Sequence, residues 1–212
     1  MKAKFVGLYG GTFDPIHLGH LTAASDVQQK IGLDEVRMVL SASPPHRSVP
    51  TLSAAERFSL LALAVNDFHA LVADDCEMAR KGPSYMVDTL LDFRQRSPTS
   101  SLVLILGMEA FNGLPSWYRW QEIIGLAHIV VTDRAGFDNR FEQEVADYMA
   151  PFLTLDKSQL KQQTHGKIYI QPVTAVDISA TQIRQRIKAK KTVKHMLTNE
   201  CLDAISKSGY YT

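Results

Sequence analysis

His17 and His20 stand three residues apart in the run Gly10-Gly11-Thr12-Phe13-Asp14-Pro15-Ile16-His17-Leu18-Gly19-His20. The run follows a short apolar stretch and opens a stretch of helical period. The spacing therefore puts both imidazoles on one face of a helix's first turn. Two imidazoles there suit phosphate oxygens, to which they can donate hydrogen bonds where negative charge accumulates in a transition state. Gly10 and Gly11 carry no side chain, so a ligand can approach the backbone closely. The helix behind them offers N–H groups and the positive end of its dipole to an anion. Gly19 removes a steric wall between the rings. Two other readings stay open at this point: ordinary surface or half-buried histidines, or a metal site. The metal reading is the weaker, because no nearby Cys or Glu completes a ligand set. Neither Gly-x-Gly-x-x-Gly nor Gly-x-x-x-x-Gly-Lys-Ser/Thr occurs at this turn, which argues against a typical dinucleotide oxidoreductase or a P-loop protein.

A second run, Ile178-Ser179-Ala180-Thr181-Gln182-Ile183-Arg184, opens a late helix. Ser179 with Gln182 predicts a capping box. Taken alone the run is a well-capped helix. Beside the first run it changes meaning: Ser179 and Thr181 stand at a second helix N-terminus, and Arg184 can offer a phosphate a planar fork of donors. Three further segments stand out. Pro44-Pro45-His46-Arg47 is a rigid basic turn. Gly82-Pro83-Ser84-Tyr85 starts a helix. Leu114-Pro115-Ser116-Trp117-Tyr118 carries a tryptophan that serves as a core anchor or as a binding face.

The elements that must position these residues alternate between short apolar runs and stretches of helical period. Strands are expected at Lys4 to Tyr9, Glu35 to Leu40, Leu71 to Asp74, Leu102 to Leu106, Ala127 to Thr132 and Lys167 to Gln171. Helices are expected at Leu18 to Ile31, Ser53 to Asn66, Ser84 to Arg96, Trp117 to Leu126, Ser179 to Lys190 and Thr198 to Ser206. Ser53 and Glu56 predict a capping box. Asp133 to Arg140 and Asp156 to Gly166 read as surface loops. This alternation predicts an α/β fold, a Rossmann-like doubly wound parallel sheet with helices on both faces, with a right-handed first crossover. In such a sheet ligands bind beyond the carboxyl ends of the strands, where the first run lies. One domain is expected over 1–212, with a small helical C-terminal part from about 179.

Bulk composition narrows the class. Lys plus Arg exceed Asp plus Glu by one, 23 against 22, whereas a protein that coats nucleic acid is usually far more basic. Cys76 and Cys201 make neither a metal pair nor a disulfide framework, which points to a reduced intracellular setting. No apolar run approaches the length of a membrane span. No nucleic-acid or membrane partner is expected, and the expected location is the cytoplasm.

The first run resembles the His-x-Gly-His hallmark of the nucleotidyltransferase superfamily, and the second resembles its Ile-Ser-Ser/Thr-Thr-x-x-Arg element. Pro44 to Arg47, Ser84-Tyr85 and Pro115 to Trp117, in this order, are similar to segments of the nicotinate mononucleotide adenylyltransferase branch. The resemblance runs from Phe5 to about Ile187. It implies transfer of AMP from ATP to nicotinate mononucleotide, with Mg²⁺, giving nicotinate adenine dinucleotide and pyrophosphate. It implies His17, His20 and Arg184 as catalytic residues. It implies ATP contacts from Gly10, Gly11, Thr12, Phe13, Gly19, Gly107, Glu109, Ile178, Ser179 and Thr181. It implies acceptor contacts from His46, Arg47, Ser84, Tyr85, Trp117 and Arg134. No protein metal ligand is expected. An aromatic face such as Trp117 attracts a cationic pyridinium ring by roughly 0.5–2 kcal/mol. Ala180, Met86, Glu109 and the Asp133-Arg134-Ala135-Gly136 segment depart from the family's commonest residues. The alternatives are another acceptor (nicotinamide mononucleotide or phosphopantetheine) or a non-catalytic nucleotide-binding regulator. The intact His17, Gly19, His20 and Arg184 argue against the regulator.

Overall fold

Valine, isoleucine and leucine runs too short for helices form β1 (Phe5–Gly11), β2 (Glu35–Leu40), β3 (Leu71–Asp74), β4 (Ser101–Gly107), β5 (His128–Arg134) and β6 (Ile168–Val173). In the computed structural model, which describes residues 3–45, 49–134 and 141–212, these strands make one sheet in the order β3-β2-β1-β4-β5-β6. Every pairing is parallel. The helices are α1 (Leu18–Ile31), α2 (Ala54–Ala64), α3 (Met86–Arg96), α4 (Met108–Asn112), α5 (Gln143–Met149), α6 (Gln159–Gln162), α7 (Ala180–Lys188) and α8 (Asn199–Ser208).

Both faces of the sheet are covered, as parallel strands require. Along β4, Val103 and Ile105 join an apolar cluster with α1, α2, α7 and α8, and Leu102, Leu104 and Leu106 join a second cluster with α3 and α5. The helices meet the sheet through stripes at spacings of three and four, such as Leu21, Ala24, Val27 and Ile31 on α1. The first cluster extends from Phe5 to Tyr211, and α8 packs against α2. The α2 start carries the expected reciprocal capping box between Ser53 and Glu56.

The strand order reverses direction between β1 and β4, so a crevice opens beyond their carboxyl ends. The chain reaches that crevice at Gly11 and at Gly107. β1 runs through the two glycines rather than stopping before them, because Gly10 and Gly11 pair with Val39 and Leu40 of β2. α3 begins at Met86, after an extended Tyr85, so Ser84 and Tyr85 precede the helix.

The expected helix from Trp117 to Leu126 is replaced by two 3₁₀ turns, Leu114–Ser116 and Trp120–Gly125. Arg119 between them sits at φ 52, a left-handed conformation that breaks any continuous helix. Its guanidinium is held there by Glu122 at 2.6–2.7 Å. Of the two expected loops, the second contains the single turn α6, which buries Leu160. The first begins inside β5, which extends to Arg134, and residues 135–140 lie outside the described residues. α5 was not anticipated. Among the described residues, no helix is long and apolar enough to cross a membrane.

Candidate active site

The first run leaves β1, passes a cis Asp14–Pro15 peptide and enters α1 at an extended His17. The two imidazoles lie face to face, ring centroids 3.7 Å apart and planes 28° apart. Phe13 sets its ring edge-on to His20 at 5.1 Å. Phe13 adopts a left-handed φ of 48, and this carries its ring over Gly11, where an added Cβ would clash with it. The Phe13 side chain is buried, so it orients His20 and offers a ligand only its main chain. One helix-start donor is already used: the Leu18 N–H donates to the Met196 carbonyl at 3.0 Å. Anion binding at this turn therefore rests on the imidazoles and the glycine backbone more than on a full set of helix-start N–H groups.

The second run lies directly against the first. The Ile178 carbonyl is 3.5 Å from where a Gly19 Cβ would stand, and the His17 ring is 3.1 Å from the same point. Gly19 is thus the gap through which the two helix starts touch. Ser179 caps α7 by accepting from the Gln182 N–H at 3.2 Å. The expected reciprocal bond from the Gln182 side chain does not form, so this is a simple cap rather than a capping box. The Arg184 guanidinium donates to the Asp14 carbonyl at 2.7 Å and to the Thr181 hydroxyl at 3.3 Å. It therefore spans the two runs. A pocket of about 340 Å³ beside it is lined by Thr181, Arg184, Gln185, Lys188, Tyr211 and Thr212, among others.

Beneath the turn lies Arg57, a residue that sequence reasoning passed over. It is 1% exposed and donates to the carbonyls of Leu52, Thr12, Ser41 and Ala42 at 2.6–3.1 Å. One guanidinium thus ties the phosphate turn to the carboxyl end of β2 and the start of α2. Burial lowers its pKa, and the nearby Asp14 charge offsets part of that. An arginine stays cationic under such a shift, so a fixed positive charge stands behind Thr12. A signal was present: Arg57 occupies the apolar stripe of α2 with Leu60, Leu61 and Ala64. Asp14 was also missed. Its buried carboxylate accepts from the Thr51 and Leu52 N–H groups at 2.7 and 3.4 Å.

On the other side of the crevice the expected acceptor segments converge. Ser84 donates its N–H to the Ser43 carbonyl at 2.9 Å and accepts from the Ser43 N–H at 3.0 Å, which joins the turn before α3 to the chain after β2. Tyr85 lies over Tyr118 with ring centroids 4.5 Å apart. Trp117, beside Tyr118, is half-buried against the second apolar cluster. Below these, Thr89 donates to the buried Glu77 at 2.6 Å and accepts from Arg80, which stiffens the loop that leads to Ser84. The Met86 methyl lies 2.7 Å from a Cβ placed on Gly10, so α3 reaches the phosphate turn. Gly107 caps the short α4, and Glu109 is exposed in its first turn. Arg134 ends β5. His46, Arg47 and the Arg134 side chain lie outside the described residues.

This geometry can hold a polyphosphate between two helix starts and a planar aromatic acceptor beside it. Residues 8–186 match the cytidylyltransferase-like family. A protein of Halorhodospira halophila named "Probable nicotinate-nucleotide adenylyltransferase" is 39% identical over 98% of this chain and 95% of its own length. A Pseudomonas fluorescens protein of the same name is 40% identical over 98% and 97%. Among solved structures, Plasmodium falciparum nicotinic acid mononucleotide adenylyltransferase complexed with NaAD superimposes with a TM-score of 0.76, covering 98% of this chain and 97% of that one. At 16% identity, that likeness speaks for the fold. The chain belongs to the cytidylyltransferase-like family, among the nicotinate-nucleotide adenylyltransferases.

Proposed function

We infer that this protein transfers AMP from ATP to nicotinate mononucleotide, forming nicotinate adenine dinucleotide and pyrophosphate. One observation carries the reading: both helix starts meet at the switch point, with Ile178 against Gly19 and Arg184 on the Asp14 carbonyl.

The acceptor phosphate is largely dianionic at neutral pH, its second pKa being about 6, and so needs no strong general base. Its oxygen forms a bond to the α-phosphorus as the bond from that phosphorus to the β-phosphate bridge breaks. The electron pair leaves with pyrophosphate. What the protein supplies is alignment and charge stabilisation. In this reading His17 and His20 donate to phosphate oxygens, Arg184 and Thr181 hold the leaving end, and Tyr85, Tyr118 and Trp117 seat the pyridinium ring. No covalent enzyme intermediate is needed.

Among the described residues, no group of three His, Cys, Asp or Glu side chains is placed to hold a metal. A Mg²⁺ ion bound with the nucleotide would fit such a site, and the chemistry it would supply there is neutralisation of phosphate charge. Two reduced cysteines agree with a cytoplasmic location.

The test is pyrophosphate release from ATP and Mg²⁺ with nicotinate mononucleotide, nicotinamide mononucleotide or phosphopantetheine in turn. Release is expected to be fastest with nicotinate mononucleotide. His20→Ala is expected to lower turnover far more than ATP affinity. No release with any acceptor, or an unchanged His20→Ala turnover, refutes the reading.

A further inference from the structure

Tyr211 lies far in sequence from both phosphate runs, yet it is built into them. It is 7% exposed, belongs to the first apolar cluster and adopts a left-handed φ of 66. A tyrosine takes that conformation at a cost, so its placement needs a compensating contact. The contact is polar: the phenol donates to an Asp14 carboxylate oxygen at 2.9 Å. That carboxylate also accepts from the N–H groups of Thr51 and Leu52, just before α2. Asp14 is therefore held from two directions by its side chain, while its own carbonyl receives Arg184 at 2.7 Å. Burial and the neighbouring Asp14 carboxylate raise the phenol's pKa, so it keeps the proton it donates. Among the described residues Arg184 makes no ion pair with a carboxylate; its guanidinium donates to the Asp14 carbonyl and the Thr181 hydroxyl. Of these, Thr181 is exposed.

We propose that Tyr211 and Asp14 are positioning residues that aim Arg184 at the polyphosphate: the tyrosine fixes the aspartate side chain, and the aspartate main chain fixes the guanidinium. The segment after α8 thereby becomes part of the phosphate site without touching the reacting atoms. The inference rests on the adenylyl-transfer reading only for which anion Arg184 meets.

The probe is inorganic pyrophosphate with Mg²⁺, titrated calorimetrically into the full chain, which reads the site without turnover. Tyr211→Phe removes one hydroxyl and keeps the ring. Losing a hydrogen bond of this kind is expected to weaken pyrophosphate binding by about threefold to tenfold. In an Arg184→Ala background the same substitution is expected to change binding by less than about twofold, because groups that act as a unit are not additive. Asp14→Asn should show the same non-additivity. Thr181→Ser, which keeps a hydroxyl, should leave the Tyr211→Phe effect intact. A purely structural role predicts equal losses in both backgrounds, and that result overturns the proposal. So does unchanged binding in Tyr211→Phe, or wild type that does not bind pyrophosphate. If Tyr211→Phe lowers the urea midpoint strongly, Asp14→Asn decides by the same cycle. Pyrophosphate binding without release on any acceptor would instead sink the proposed function and leave this coupling to stand or fall on its own cycle.

Discussion

His128 opens β5 with none of its surface exposed. Its Nδ1 accepts from the Lys167 N–H at 3.1 Å, so its Nε2 carries the proton and donates to the Gln163 carbonyl at 3.0 Å. The neutral ring thus stitches β5 to the residues before β6. Burial is the main force against a second proton. The positive charges of His165, Arg94 and Lys167 add to it, and the Gln163 bond opposes it; together they push the pKa from 6.5 to about 4. The unfolded chain binds its proton near 6.5 and the folded chain only near 4. Between those values the unfolded state holds more protons, so stability falls as pH falls. The contribution is complete above 6.5 and gone near 4. At about 1.4 kcal/mol per pH unit, it amounts to about 3–4 kcal/mol. Urea unfolding between pH 7.5 and 4.5 should show this on wild type minus His128→Asn, a difference that removes carboxylates common to both. Asn keeps an acceptor for Lys167 and cannot titrate. Equal pH slopes in the two proteins would refute the argument, since a neutral buried imidazole leaves no other outcome.

Arg57→Met removes the donor to four loop carbonyls; a stability loss of about 3 kcal/mol is expected in urea titration, with a rise in KM for ATP because the turn at Thr12 loosens. Gly19→Ala places a methyl 3.1 Å from the His17 ring and 3.5 Å from the Ile178 carbonyl. Displacing the stacked imidazoles should lower kcat by tenfold or more, on the order of what ångström-scale misplacement costs, with little change in the thermal midpoint. Gly10→Ala meets only the flexible end of Met86 at 2.7 Å, so a Met86→Ala second substitution should restore most of the lost kcat/KM; failure of that rescue would place the obstruction elsewhere.

The two phosphate runs and the Ser-Tyr pair were legible as a candidate site because their residue types make little sense as packing. Paired histidines behind Gly-Gly, an arginine one turn into a capped helix, and a Ser-Tyr pair after Gly-Pro are not the aliphatic side chains a core would use. The parallel sheet was legible for the opposite reason: β4 is an unbroken apolar run, which only a strand buried on both faces can use. Periodicity failed at 117–126, where the adjacent buried Ile123 and Ile124 suit a helix. The chain instead obeys a left-handed Arg119 locked to Glu122.

The residues that hold the site were harder to see, and the reason differs for each. Arg57 could have been found. A charge on an apolar helical stripe cannot stay unpaired when buried, and this stripe carries no acid to pair it. Its donors must therefore be answered by backbone carbonyls of nearby loops, and loops that surrender carbonyls to one cation become rigid. A buried arginine without a carboxylate partner is thus a sign that some loop nearby must be held still. Tyr211 carries no such sign, because a tyrosine near apolar residues is the ordinary composition of a core. Its meaning lies in the direction of one hydroxyl, toward Asp14, and only the closed fold brings residues 197 positions apart into that contact. Periodicity and spacing report on neighbours within a few turns. The positions that aim a catalytic group through a third residue are set by long-range packing, and they become visible only when the bonds of that third residue are counted.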